Sequence, residues 1–156
     1  MVIIINKIKM KELKLFLSIT FIFFTTSYAQ VMINGICWAT RNVDMPGTFV
    51  ANPEDAGMLY QWGSKIGWSY TIPPIANDGI TVWHLVYETG DIWLPEKNPC
   101  PNGWRLPTRQ ELQSLINSGS YWSSLNGING RFFGNKEPHL FLPAAGCISD
   151  SGPGSP

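Results

Sequence analysis

Proline and glycine interrupt almost every stretch of this chain beyond residue 30. With 12 prolines and 15 glycines in 156 residues, they leave room for one good helix. The helix is predicted to start at Thr108. Thr108-Arg109-Gln110-Glu111 is a capping box, in which the threonine hydroxyl takes the Glu111 amide and the glutamate reaches back. Leu112, Leu115 and Ile116 then form an apolar face at helical spacing, and Asn117-Ser118-Gly119 stop it. Pro107 prevents extension backward. The other periodic runs are short and strand-like. Val31 to Thr40 mixes β-branched and aromatic residues, Met58 to Trp62 follows a turn at Pro53 to Gly57, and Leu140 to Leu142 ends at Pro143. Residues 63 to 99 read as a long loop region with one strand at Thr81 to Tyr87. Ser149 to Pro156 has the composition of a flexible tail. The pattern is α+β with long irregular loops.

The first 29 residues differ from the rest. Lys7, Lys9, Lys11 and Lys14 precede an apolar run from Leu15 to Phe24, and Ser27-Tyr28-Ala29 gives a small-x-small exit. This is the layout of a cleaved secretory signal, with a helix across the apolar run. About ten apolar residues are too few for a stable membrane anchor. Met10 offers an alternative start, because the signal is complete without the residues before it. The expected location is outside the cytoplasm, secreted or on the cell envelope, and no cysteine follows the cleavage point to take a lipid. The mature chain, Gln30 to Pro156, is one domain at most. Loss of four lysines and Glu12 changes the balance from 11 basic and 11 acidic residues to seven against ten. The remaining basic residues do not cluster, which excludes nucleic acid binding by counterion release.

All seven tryptophans fall in the mature part, at positions 38, 62, 68, 83, 93, 104 and 122. Most are expected to fill the core of a domain poor in long aliphatic side chains. The three cysteines, Cys37, Cys100 and Cys147, are far apart in sequence, and the only histidines are His84 and His139. A structural zinc site needs closely spaced ligands, so no metal or cofactor is expected. In an oxidising compartment an odd cysteine count leaves at least one free thiol in a monomer.

The block Cys100 to Thr108, CPNGWRLPT, turns tightly, points Trp104 and Leu106 inward and launches the helix. It resembles the Fibrobacter succinogenes major paralogous domain family, an extracellular bacterial family. CWATRNV at Cys37 to Val43 is similar to that family's opening strand, and GMLYQW at Gly57 to Trp62 to its Gly-x-x-Tyr-x-Trp strand. NGINGRFFG at Asn126 to Gly134 and LFLPAAG at Leu140 to Gly146 are similar to its middle segment. The matches run from about residue 33 to residue 146. The resemblance implies a C-type-lectin-like fold, which is shared with formylglycine-generating enzymes. It also implies further strands after LPAAG, the last carrying a cysteine partner for Cys100. A Cys37–Cys100 bridge is the alternative. In lectin-like folds the two ends of the domain pair, so the resemblance implies an incomplete domain over residues 30 to 148. The opening strand would then be unpaired, in a truncated or frameshifted copy or one whose tail was replaced.

Loops on a rigid scaffold carry recognition. Trp68, Trp83 and Trp93 are therefore the expected stacking platforms for a ligand, and Asp91 offers a carboxylate to a sugar hydroxyl. Trp104, Thr108, Glu111, Cys37 and Cys100 are expected to be structural. Glu137-Pro138-His139 resembles the Glu-Pro-Asn calcium motif of lectins. His139 cannot supply the asparagine carbonyl, so a polar turn is expected there. Cys147 lacks a nearby second cysteine for formylglycine-type chemistry. The expectation is a lectin-like binding or structural module without catalysis. Its partner would be a glycan, a surface protein or another copy meeting the unpaired strand. The alternatives are an enzyme related to formylglycine-generating proteins and a non-functional fragment of a longer gene.

Overall fold

Two Asn-Gly turns organise the longer strands of the computed structural model, which describes residues 5–6, 30–85, 88–90, 92–149 and 152–154. The expected signal helix, the cleavage point and Asp91 lie outside the described residues. At the first turn Asn34 and Gly35 have φ of 51° and 75°, and at the second Asn126 and Gly127 have 49° and 84°. Positive φ at both central residues is the type I′ pattern, whose twist matches that of antiparallel strands.

Strand β1 is Ile5–Asn6. The first Asn-Gly turn joins β2 (Gln30–Ile33) to β3 (Ile36–Ala39), in register from Gln30↔Ala39 to Ile33↔Ile36. The run expected as one strand from Val31 to Thr40 is therefore a hairpin. Two short strands, β4 (Leu59–Tyr60) and β5 (Gly67–Trp68), pair antiparallel. A 3-10 turn at Pro95–Lys97 leads to β6 (Trp104–Arg105) and helix α1 (Arg109–Asn117). The second Asn-Gly turn joins β7 (Ser120–Leu125) to β8 (Ile128–Phe133), and β9 (Leu140–Pro143) completes that three-stranded sheet. Finally, among the described residues β10 (Cys147–Ser149) pairs with β11 (Gly152–Gly154) alone, so part of the expected tail lies in a hairpin. The expected strand at Thr81 to Tyr87 reduces to one bridge, Val82 to Ile75, among the described residues.

The other sheet has the order β2-β3-β1-β6. In the full-length chain the opening hairpin has a neighbour on the β3 side: β1 lies beside β3, with Ile5 opposite Trp38. On its other side β1 pairs with β6, Ile5 opposite Arg105 and Asn6 opposite Trp104.

The helix begins as its sequence dictates. Thr108 accepts the Glu111 amide at 3.2 Å, and the Glu111 carboxylate accepts the Thr108 amide at 2.7 Å. The apolar face is narrower than predicted: Leu115 is buried and Leu112 packs beside it, but Ile116 is 58% exposed. Leu115 joins Val31, Ile33, Trp38, Phe133, Leu140 and Leu142 in one core cluster, which fastens the first hairpin, the helix and the three-stranded sheet together. A second cluster gathers Ala39, Val43, Cys100 and Trp104, with Cys37 packed against it. Cys37 and Cys100 share this cluster as free thiols, and Cys147 is a third. A third cluster, Leu59, Trp68 and Ala76, supports the loop region. The described residues make a small α+β protein with short antiparallel strands and one α-helix.

Candidate aromatic cleft

Leu59 of the third cluster, with Trp83 and Ile148 packed against that cluster, lines a cleft of about 380 Å³. Its walls come from three distant parts of the chain: Leu59 to Trp62; Trp83, Leu85 and Glu88; and Gly146 to Ile148. The pairing of β4 with β5 fixes the first wall. The second wall is anchored where Trp83 packs edge-on against buried Trp68, centroids 5.0 Å apart at 76°. Ile148 of β10 packs on the same cluster and brings the third wall in.

The polar groups are held in place. Gln61 donates from Nε2 to the His84 carbonyl at 2.8 Å, which ties the first wall to the second. Tyr60 donates its hydroxyl to the Asp44 carbonyl. Burial, with Asp44 nearby, pushes that phenol far above its ordinary range, so it stays a neutral donor. Trp62 stands 48% exposed at the rim. Its indole donates to the Gly90 carbonyl at 3.0 Å, and its ring meets Trp93 edge-on at 5.3 Å. Glu88 pairs with Lys97 at 3.1 Å. Gly63 admits Glu88 here, since a Cβ at that position would come within 2.8 Å of the Glu88 Cβ.

The expected site residues separate on this geometry. Trp83 is half-buried and lines the cleft. Trp68 is 1% exposed and belongs to the core; its faces are covered, so it offers no stacking surface. Trp93 is half-buried behind Trp62, with its indole donating to the Lys97 carbonyl at 2.9 Å. It supports a platform without lining the cleft. Trp62, Gln61 and Glu88 were not singled out by the sequence. The Gly-x-x-Tyr-x-Trp block contains Trp62, but its rim position depends on contacts with Gly90 and Trp93.

Elsewhere, Trp104 is buried as expected and meets Phe49 edge-on at 5.6 Å. Glu111 has a partner beyond its cap, because Arg105 grips both carboxylate oxygens at 2.8 and 2.6 Å. Glu137 faces His139 at 3.2 Å in an exposed turn. Among the described residues no three His, Cys, Asp or Glu side chains come together as a metal site. No helix there is long and apolar enough to cross a membrane. No protein family, curated protein or solved structure matches the chain.

Proposed function

We propose that this is an exported, lectin-like binding module that holds a carbohydrate in the aromatic cleft and carries out no chemistry on it. The single observation behind this reading is the combination at the rim. Half-exposed Trp62 and half-buried Trp83 provide apolar faces, and Gln61 and Glu88 stand on the same walls. A sugar ring has the complementary character, with an apolar C–H face and polar hydroxyls. Aromatic rings cover the face, and the exposed Glu88 carboxylate accepts from the hydroxyls, while Gln61 holds the two walls together. The indole N–H groups of Trp62 and Trp93 already have carbonyl acceptors, so these rings are fixed before a ligand arrives. A rigid platform reduces the ordering cost of binding.

The enzyme alternative would centre on Cys147, which also lines the cleft. The described lining contains no histidine or lysine to take its proton, so binding is the better-supported role. Titration of a panel of oligosaccharides, followed by tryptophan fluorescence, tests the proposal. At least one should perturb the emission saturably, and Trp62→Ala should weaken that ligand at least tenfold while leaving the melting temperature within a few degrees. Equal affinity for the Trp62→Ala variant would move the site elsewhere, and absence of any ligand would remove the carbohydrate reading.

A further inference from the structure

Strand β7 is the outer strand of the sheet β7-β8-β9, and among the described residues it pairs with β8 alone. Free edges are ordinarily blunted by charges, proline or a bulge. Ser120–Leu125, SYWSSL, has no charged residue and no proline, and its register with β8 is unbroken from Ser120↔Phe133 to Leu125↔Ile128. Tyr121, Trp122, Ser123 and Ser124 are all exposed. The turn decides which backbone groups face outward. A two-residue turn closes on a hydrogen-bonded pair, here Leu125 with Ile128, and the hydrogen-bonding side then alternates along the strand. At the other end of the hairpin, Gly134 donates to the Gly119 carbonyl at 3.1 Å and keeps the same phase. Tyr121, Ser123 and Leu125 therefore turn their amides and carbonyls toward β8. Ser120, Trp122 and Ser124 turn theirs outward.

We propose that β7 is a dimerisation edge: the β7 strands of two copies of this chain pair antiparallel about a two-fold axis at Trp122, joining two three-stranded sheets into one. The occupant follows from the symmetry of the edge. With Trp122 opposite Trp122 of the second copy, Ser120 falls opposite Ser124 of that copy, so every outward amide and carbonyl of the three residues meets its complement. The side chains suit the same register. The two Trp122 indoles lie side by side as an aromatic cross-strand pair, and the flanking serines leave them room. On the opposite face each Tyr121 falls opposite a Ser123, large against small. Tyr121 is already placed, stacked on Phe132 with centroids 5.3 Å apart at 12° and edge-on to His139. No like charges meet, because the strand has none. An unrelated strand would find the same backbone groups, but only a second copy matches this alternation of large and small residues by symmetry. The area sets the strength. Trp122 is 60% exposed and Tyr121 49%. An aromatic side chain offers roughly 150–250 Å², so two copies would bury on the order of 500 Å² of aromatic surface besides the strand backbone. A stable interface buries at least about 1,200 Å², so this dimer is reversible and concentration-dependent. No residue lining the aromatic cleft lies in β7, and the dimer does not depend on the carbohydrate reading.

Sedimentation equilibrium of the full chain, from micromolar to near-millimolar concentration, tests the proposal. The weight-average mass should rise from one copy toward two and stop there. Trp122→Lys and Trp122→Glu each set like charges across the axis, so either variant alone should weaken the dimer at least tenfold. An equimolar mixture of the two should restore it, because only then do opposite charges face each other. Residue 122 is exposed in the single copy, so the melting temperature of the dilute variants should stay within a few degrees of the native chain. If either variant loses cooperative melting, Ser124→Pro takes its place. It removes an outward amide, leaves the ladder with β8 whole and should abolish the dimer. A chain that stays monomeric throughout overturns the proposal, as does growth past two copies. Undiminished association of the like-charged variants, or of Ser124→Pro in their place, would mean that another surface joins the copies, and a mixture no stronger than its parts would mean that they do not meet at residue 122; either result overturns the two-fold pairing.

Discussion

At the scale of single residues, Arg105 and Glu111 join the RLPT turn to the helix. The hydrogen bonds from Arg105 are the main cause that holds the Glu111 carboxyl at about 2, against an ordinary value of 4.5. The unfolded chain therefore takes up this proton more readily than the folded one. The resulting stabilisation is complete above about pH 5 and disappears as the pH falls toward 2. Urea midpoints should drop through this window in the native chain, and Glu111→Gln should flatten part of the drop; an unchanged slope would mean that the pair does not form. Thr108→Ala should cost about 1 kcal/mol in the same melts, the usual loss for an N-cap. The cysteines offer a second test. Burial pushes the Cys100 thiol up to about 12 and raises that of Cys37, and Cys147 is exposed. Thiolate is the reactive form, so iodoacetamide at pH 8 should label Cys147 first, Cys37 slowly and Cys100 only after unfolding. Rapid labelling of Cys100 in the native state would contradict the packing of the second core cluster.

Among elements, the hairpins depend on their turns. Along β7 the exposure pattern shows no buried face, and its pairing with β8 runs from Ser120↔Phe133 to Leu125↔Ile128. With so little burial to set the register, Asn126-Gly127 must set it. Gly127→Ala should therefore destabilise the domain by about 1–2 kcal/mol, the cost of a left-handed conformation for a residue with a Cβ. An unchanged urea midpoint would mean that the turn relaxes to another type. The same features explain what could be read from the sequence. The helix was legible because a cap is local: Thr108 and Glu111 lie three residues apart and specify its start unaided. The split of Val31 to Thr40 was obscured because apolar residues continue on both sides of Asn34-Gly35, so composition read as one strand across a hairpin signal. Residues 120 to 133 gave no strand signal because SYWSSL lacks alternation, a direct consequence of exposure on both faces. The cleft was least legible. Its walls meet only after folding, and no spacing within residues 59–62, 83–88 or 146–148 reports the other two. Trp83 was named because it is a loop tryptophan, the same reason that wrongly favoured buried Trp68.

For the whole molecule, the proposed export and the fold would compete for the same residues. A signal ending at Ala29 predicts that the exported protein begins at Gln30, with a cyclised glutamine, as mass spectrometry would show. That cleavage would also remove β1 from the centre of a four-stranded sheet and leave β3 and β6 without their shared neighbour. Each backbone hydrogen bond returned to water costs about 1 kcal/mol net, so loss of this short strand should cost on the order of 2 kcal/mol. Domains of this kind have about 5–15 kcal/mol of net stability, so the cost is a real fraction of the total. The main core cluster, around Trp38, Leu115 and Leu140, draws its members from β2, β3, α1, β8 and β9. These five elements share one core, so the domain should still fold after cleavage, but less stably. The chain beginning at Gln30 is therefore expected to melt about 4–8 °C below the full-length chain, given roughly 2–4 °C per kcal/mol at this size. Calorimetry on both chains measures the difference. Equal melting temperatures would show that β3 and β6 close on each other once β1 has gone, and that the sheet does not need a strand from elsewhere.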